Sequence, residues 1–288
     1  MIELRHQKAD LFVADSTVQE SALERTTHLG IGAHQDDLEF MALHGILECF
    51  QQEDKWFSGI TCTDGAGSSR SGPYGDYSDE QMKVVRLKEQ RAAAVIGQYS
   101  FMAQLAHSSS VAKDADSRAA LIDDLETILR ASQPEVIYTH NPFDKHATHI
   151  GVLLAVLAAI QRLPLDNRPK QLIGCEVWRG LDWIPDEMKV VQSLDRHPNL
   201  AAALNGVFDS QITGGKRYDL AVEGRRLANA TFFDSHSVDD ARRVAYAVDL
   251  TDLILSGPGA LKSYVQDVTQ VFQDQIGGTI SVVQDTHR

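Results

Sequence analysis

Two short apolar runs in this chain stop at clusters of histidine and aspartate, and each cluster opens a helical pattern, which narrows the choice of fold more than any other feature. The first run, His28-Leu29-Gly30-Ile31-Gly32-Ala33, leads into His34-Gln35-Asp36-Asp37-Leu38-Glu39, after which Phe40, Leu43, Leu47 and Phe50 fall at helical spacing. The second, Val136-Ile137-Tyr138, leads into the stretch from Thr139 to His149, and beyond it Ile150, Leu153, Leu154, Leu157 and Ile160 form an apolar stripe. Both clusters are therefore expected on strand-to-helix turns. In an open α/β sheet such turns lie at the carboxyl ends of strands, where ligands of these folds collect.

The residue types point to metal chemistry. A His and an Asp three apart, His34 and Asp37, can converge on one point, while a second Asp beside them must point elsewhere. His146 and His149, also three apart, share one face of a first helical turn and can reach the same ion. Zinc is commonly held by imidazole and carboxylate, with one position left for water when the site is catalytic. The plainer reading is that Asp36 or Asp37 is only the N-cap of the helix, since acidic residues are favourable there in any case. Two clusters of matching type behind two strands favour the metal site. On these residues alone the chemistry reaches metal-assisted hydrolysis and no further.

Taken together, these stretches resemble the PIG-L/LmbE-like family of zinc-dependent N-deacetylases, marked by an Ala-His-Pro-Asp-Asp-Glu turn and a later His-x-x-His. The chain offers Ala33-His34-Gln35-Asp36-Asp37-Leu38-Glu39 and His146-Ala147-Thr148-His149, and Val85-Arg86-Leu87-Lys88-Glu89 with Ala93, Ala94 and Gly97 is similar to the family's Arg-x-x-Glu helix. The resemblance covers roughly residues 28 to 160. Gln35 stands where the family has Pro, and Leu38 separates Asp37 from Glu39, which leaves the shape of the turn and the role of Glu39 open. The resemblance implies one Zn2+ per chain on His34, Asp37 and His149, with Asp36 as general base and His146 steadying the oxyanion or protonating the leaving amine. It also implies the substrate, an N-acetyl group on an N-acetylglucosamine-type sugar conjugate. Imidazole and carboxylate ligands accept iron, cobalt or nickel as well. Two alternatives stay open: a metal-dependent phosphoesterase, which would want more carboxylates and often a second ion, and a non-catalytic sugar-binding protein of the same fold.

The rest of the chain fills in the frame. A net charge of -13 argues against nucleic acid and against an anionic membrane surface. With 43% hydrophobic and 23% charged residues the composition is that of a soluble globular protein. The order of elements predicts one α/β domain over 1–288, Rossmann-like, with a mostly parallel sheet and helices on both faces. Its motifs lie in 28–160, and 161–288 complete the fold and the substrate wall. No apolar run reaches the length of a membrane span and no signal peptide opens the chain. Cys49, Cys62 and Cys175 form no disulfide framework, which fits a reducing cytoplasm, and Cys62 near the site reads as an inert buried thiol. The partner is expected to be a small molecule, with self-association left open.

Other segments are placed more coarsely. Trp56 to Thr61 reads as a strand running into a Gly- and Ser-rich loop over 63–77, an expected wall or lid of the site. Asp64 and Arg70 on that loop are the expected contacts to sugar hydroxyls. Ser78 or Asp79 caps a helix that carries Met82, Val85, Ala92 and Ile96 on one face, with Arg86 and Glu89 outside that stripe as a local ion pair, which the resemblance places in support of the site and the residues alone would equally allow to be solvated. Tyr99 to Leu105 and Gln171 to Trp178 read as strands, Asp114 to Ala131 as a helix. The turn Arg179 to Trp183 could wall the substrate, Lys216 and Arg217 precede a helix through Ala228, His236 receives no role, and the last thirty residues carry little information.

Overall fold

The computed structural model describes residues 2–285. Eight strands form one sheet: β1 (Asp10–Phe12), β2 (His28–Gly32), β3 (Phe57–Thr63), β4 (Met102–His107), β5 (Val136–His140), β6 (Gln171–Cys175), β7 (Lys189–Ser193) and β8 (Val244–Asp249). Their spatial order is β1-β4-β3-β2-β5-β6-β8-β7. The five central strands, β4-β3-β2-β5-β6, are mutually parallel. They are almost wholly buried, as strands covered by helices on both faces must be. β1, β8 and β7 run antiparallel to their neighbours.

The sheet is therefore mixed, which corrects the expectation of a mostly parallel one. The parallel strands alternate with helices that carry the chain back across a face. The polar arm before residue 28 and the segment after β6 instead supply the outer strands β1, β8 and β7, which pair antiparallel without such a crossover.

Helices cover both faces. Ala119–Ser132 and Ala147–Gln161 bury Leu121, Leu125, Ile128, Val152, Val156 and Ile160 on one side. Leu43–Cys49, Asp79–Ile96 and Pro198–Gly206 bury Leu43, Ile46, Ala93, Ala94, Leu200 and Leu204 on the other. The helix Asp79–Ile96 begins in a full capping box: Ser78 Oγ accepts the Gln81 N–H while Gln81 Oε1 accepts the Ser78 N–H. The expected strand over 99–105 lies further on, at Met102–His107, because the chain leaves that helix at Gly97 in a tight turn capped from Ala93. The uninformative C-terminus holds the long helix Leu261–Asp285, of which only Leu261 and Val268 are buried. No helix of the described residues is long and apolar enough to cross a membrane.

Helix contacts are tight enough to be tested by one methyl group. A Cβ on Gly151 would stand 2.1 Å from the Ala112 carbonyl oxygen of the neighbouring helix, a backbone atom that cannot move aside. Gly151→Ala should therefore lower stability by about 1–3 kcal/mol in urea denaturation, the cost of overpacking. Gly224→Ala meets nothing within 4 Å, and in the interior of the helix Tyr218–Thr231 it should raise stability by up to about 1 kcal/mol.

Candidate active site

Each of the five parallel strands delivers residues from its carboxyl end to a single cavity of about 920 Å³. β2 supplies His34, Asp36 and Asp37, β3 supplies Thr63 to Ser69, β4 supplies Ser108 and Ser109, β5 supplies Lys145, His146 and Thr148, and β6 supplies Glu176 to Trp178. The far wall comes from the stretch between Gln211 and Arg226.

The turn after β2 is not built by helix capping. Asp36 occupies the N-cap position of the helix Asp37–Met41, yet its side chain makes no cap hydrogen bond. Its backbone is left-handed, φ 84°, a costly conformation for a residue with a Cβ. Three contacts hold it there. Its N–H donates to Gln90 Oε1 at 3.1 Å, Arg86 Nη2 donates to its Oδ2 at 2.8 Å, and the same Nη2 donates to the Gln35 carbonyl. Gln35, where a proline was expected, anchors the turn through its amide, which donates to the Thr63 carbonyl at 3.0 Å and to Gln104 Oε1 at 3.3 Å.

His34, Asp37 and His149 converge, with one ligand atom of each lying within 4.8 Å of the others. Asp37 Oδ2 accepts the His34 N–H at 2.7 Å and lies 3.3 Å from His34 Nδ1 and 3.6 Å from His149 Nε2. Burial would raise the Asp37 carboxyl, but the three histidines His149, His34 and His140 outweigh it and hold it well below the usual carboxylate range. On the other side of the His149 ring, Nδ1 meets Asp144 Oδ2 at 3.0 Å. A carboxylate there fixes the imidazole as its Nδ1–H tautomer and leaves the Nε2 lone pair facing His34 and Asp37, the arrangement of a metal-ligating histidine. Two imidazole lone pairs and a carboxylate facing one point inside the protein call for a cation, so the trio fits a divalent ion.

A second trio, His140, Asp144 and His149, is equally close but is already spent. His140 Nε2 accepts the Ala33 N–H at 2.9 Å, and Asp144 accepts from His149, from the His146 N–H at 3.0 Å and from the Trp178 N–H at 3.2 Å. His140 and Asp144 thus stand behind the first trio rather than join it, and the sequence offered no way to assign that part to two members of one quoted cluster.

Asp36 and His146 both line the cavity beside the trio. Burial pushes the Asp36 carboxyl up to about 6, with Arg86 opposing and Asp37 adding to the rise. Burial and the neighbouring His149 and His34 push His146 down to about 4, so its ring is neutral. Behind Asp36, Arg86 is itself fully buried and also donates to Glu89 at 3.1 Å and to Ser210 Oγ at 3.3 Å. The local ion pair expected outside the apolar stripe is therefore interior. Glu39 does not reach the cavity; its carboxylate accepts from Tyr99 Oη at 2.7 Å and Gln90 Nε2 at 2.8 Å, and burial pushes it up to about 7.

The loop over 63–77 forms a wall, tied across to the far side by Tyr74 Oη donating to Asp209 at 2.6 Å. Asp64 lines the cavity, where it accepts the Ala66 N–H at 3.1 Å and pairs with Lys83 at 3.1 Å. Arg70 does not line it. Its guanidinium donates through Nη1 and Nη2 to the carbonyls of Tyr77 and Ala66 and to Asp79, which turns it into the loop and shapes the loop. Trp183, within the turn expected as a wall, packs into the core against Phe143 and Phe272, and the exposed neighbour of the site is Trp178. Cys62 is buried, and burial pushes its thiol far up, as an inert cysteine requires.

Residues 29–160 match the model of the PIG-L family, described as GlcNAc-PI de-N-acetylase. The match covers 132 of the 288 residues. A comparison with curated protein sequences gave no match. Among solved structures, the chain is similar to N,N'-diacetylchitobiose deacetylase from Pyrococcus horikoshii, with TM-score 0.61 and 14% identity over 80% of this chain and 85% of that one. It is similar to GalB, the 4-carboxy-2-hydroxymuconate hydratase of Pseudomonas putida KT2440, with TM-score 0.56 and 14% identity over 78% and 96%. It is also similar to a zinc-inhibited form of teicoplanin deacetylase, with TM-score 0.55 and 13% identity over 78% and 97%. At these identities the likeness establishes the fold, and the presence of a hydratase among the neighbours leaves the reaction to be argued from the site. Within the PIG-L segment lie His34, Asp36, Asp37, Arg86, His146 and His149.

The burial of Arg86 sets a test. Arg86→Met would strand the Asp36 and Glu89 carboxylates without their cation, and urea denaturation should show a loss of about 3–5 kcal/mol. Arg86→Lys keeps the charge but not the fork of donors, so it should recover only part of that loss.

Proposed function

We propose that this chain is a metal-dependent hydrolase that removes the N-acetyl group from an N-acetylglucosamine-type sugar conjugate, with 1–288 acting as one domain. The observation that carries the reading is the convergence of His34, Asp37 and His149 beside a buried, untethered-by-capping Asp36 at the floor of a cavity large enough for a sugar. The PIG-L match and the deacetylases among the structural neighbours support the same chemistry.

His34, Asp37 and His149 would hold the divalent ion, which supplies Lewis-acid polarisation of the amide carbonyl and a more acidic water. The protein's own groups do the rest. Asp36, with a pKa raised toward neutrality and its second contact to Arg86, takes a proton from the attacking water. His146, neutral and lining the cavity, donates a hydrogen bond to the oxyanion. As the C–N bond breaks, the proton passes to the departing amine and acetate is left behind. Zinc is the proposed ion, and since a zinc-inhibited form of one neighbour exists, excess zinc should be tested separately from stoichiometric zinc. The phosphoesterase alternative is disfavoured because the second trio shares His149 and its other members are hydrogen-bonded elsewhere, so among the described residues there is room for one ion.

Acetate release from a panel of N-acetylated sugar conjugates, measured with chelator and after return of zinc, cobalt, nickel or iron, tests the activity. Metal analysis should give about one ion per chain. Asp37→Ala and His149→Ala should lose metal and turnover together. Asp36→Asn and His146→Ala should keep the metal and lose roughly 10²- to 10⁴-fold in kcat, the usual size of general acid–base catalysis. Full turnover in Asp36→Asn would overturn the mechanism even with metal bound.

A further inference from the structure

The cavity's charge is opposite to that of the whole molecule. The chain carries a net charge of -13, yet Lys83, Lys113, Lys145, Lys216, Arg225 and Arg226 all line the cavity. Some of these are spent within the protein. Lys83 pairs with Asp64 and Glu80, Arg225 donates to the Val177 carbonyl, and Arg226 donates to the carbonyls of Glu39 and Phe40. Lys145 and Lys216, like Lys113, have neither a carboxylate nor a carbonyl partner among the described residues. Both ammonium groups instead stand near the Trp178 ring, Lys145 at 5.8 Å and Lys216 at 5.4 Å from its centroid.

Trp178 is the most exposed aromatic ring beside the catalytic groups, at 36%. Its indole stacks at 6.2 Å and 28° on the His146 imidazole, and His146 in turn meets His34 ring-to-ring at 5.1 Å. Its backbone N–H is fixed to Asp144, the carboxylate that orients His149. The tryptophan is thus rigidly placed one ring beyond the reacting end. An apolar plate of this kind suits the C–H face of a sugar, and Tyr218, edge-on at 6.1 Å, closes its side. Glu176, the nearest cavity carboxylate along the chain, cannot neutralise the lysines. Its oxygens are taken by Asn229, the Leu181 N–H and the Tyr246 N–H, and burial raises its pKa.

We propose that Lys145, Trp178 and Lys216 form a subsite for an anionic group on the substrate, a phosphate or carboxylate carried by the N-acetyl sugar or its aglycone, with Lys113 adding to the field. Two ammonium groups beside one aromatic ring, without a carboxylate partner among the described residues, leave positive charge at the cavity wall that an anionic group would neutralise. The neutral face of the sugar stacks on the indole while its charged substituent meets the lysines. As a statement about substrate it rests on the deacetylase reading; as a statement about binding it does not.

The experiment separates the two. Acetate release is measured from methyl N-acetylglucosaminide and from N-acetylglucosamine 1-phosphate, and binding of both is followed by tryptophan fluorescence, in the wild type, in Lys145→Gln/Lys216→Gln and in Trp178→Phe. The wild type should favour the phosphate, and the ratio of kcat/KM for phosphate over methyl glycoside should fall roughly 10- to 100-fold in the double lysine variant, through KM. The fluorescence change on adding the phosphate should be lost in Trp178→Phe. Raising salt should erode the preference for the phosphate in the wild type and much less in the double variant. If neither sugar releases acetate while the phosphate still binds in a lysine-dependent way, the deacetylase reading falls and the subsite stands. If acetate is released but the ratio and the binding are the same in wild type and double variant, the subsite is overturned and the deacetylase reading stands.

Discussion

The guanidinium of Arg86 is the interaction on which the site depends. It is a buried cation reaching four groups from three parts of the chain: the Gln35 carbonyl and Asp36 of the turn after β2, Glu89 of its own helix, and Ser210 before the far wall. A charge so placed is costly unless its donors find acceptors and opposite charge is near; Nη1 and Nη2 do, while Nε has no partner. Here the two carboxylates supply the charge, and Glu89 passes the tie onward by accepting both the N–H and the hydroxyl of Ser210 at 2.7 Å. The left-handed Asp36 is the counterpart of this network. Its backbone strain is tolerable because Gln90 and Arg86 overdetermine its position. That turns a residue which could have capped a helix into a carboxylate facing the cavity.

Much of this was legible in the chain before any coordinates. Apolar runs ending in His and Asp placed two strand-to-helix turns, and His34, Asp37 and His149 do meet there. Asp36 and His146 also fall on the cavity lining. What the pattern could not convey was the second layer of contacts. His140 and Asp144 stand in the same short stretch as His146 and His149, and residue type alone does not separate a ligand from the group that orients it; the hydrogen bond from the Ala33 N–H to His140 does. Arg70 misled for a related reason. A guanidinium on a Gly-rich loop suggests a ligand contact, but such a loop has many unpaired carbonyls of its own, and two of those accept from Nη1 and Nη2.

The sheet shows the same limit at a larger scale. Alternation of strand and helix correctly indicated the five parallel strands, because each needs a helical return and leaves that period in the sequence. The edges carry no such signature. β1 is three residues long, and β7 and β8 are separated by the helical stretch 198–231, so their antiparallel pairing follows from where the chain re-enters the sheet. Trp183 and Trp178 illustrate it residue by residue: five positions apart, one lies in the core and the other on the cavity, a distinction set by the path after β6.

The cavity also divides its work along the chain in a way that bears on specificity. The converging trio and the strained aspartate, on turns fixed by the parallel strands, and the arginine of the helix Asp79–Ile96 all lie within the segment that matches the PIG-L model. Trp178, Lys216, Tyr218 and Arg225 lie beyond residue 160, on the path after β6 and on the helix Tyr218–Thr231. The two halves are coupled where Arg86 and Glu89 grip Ser210, and where Arg226 donates to the carbonyls of Glu39 and Phe40 just behind the first turn. A site arranged like this can change what it accepts through the second half while keeping the geometry of the first. For the same reason a shared fold does not carry a shared reaction, and a hydratase and deacetylases can stand among its neighbours. The reaction of this chain is therefore to be sought in the trio and Asp36, and its choice of substrate in the residues around Trp178.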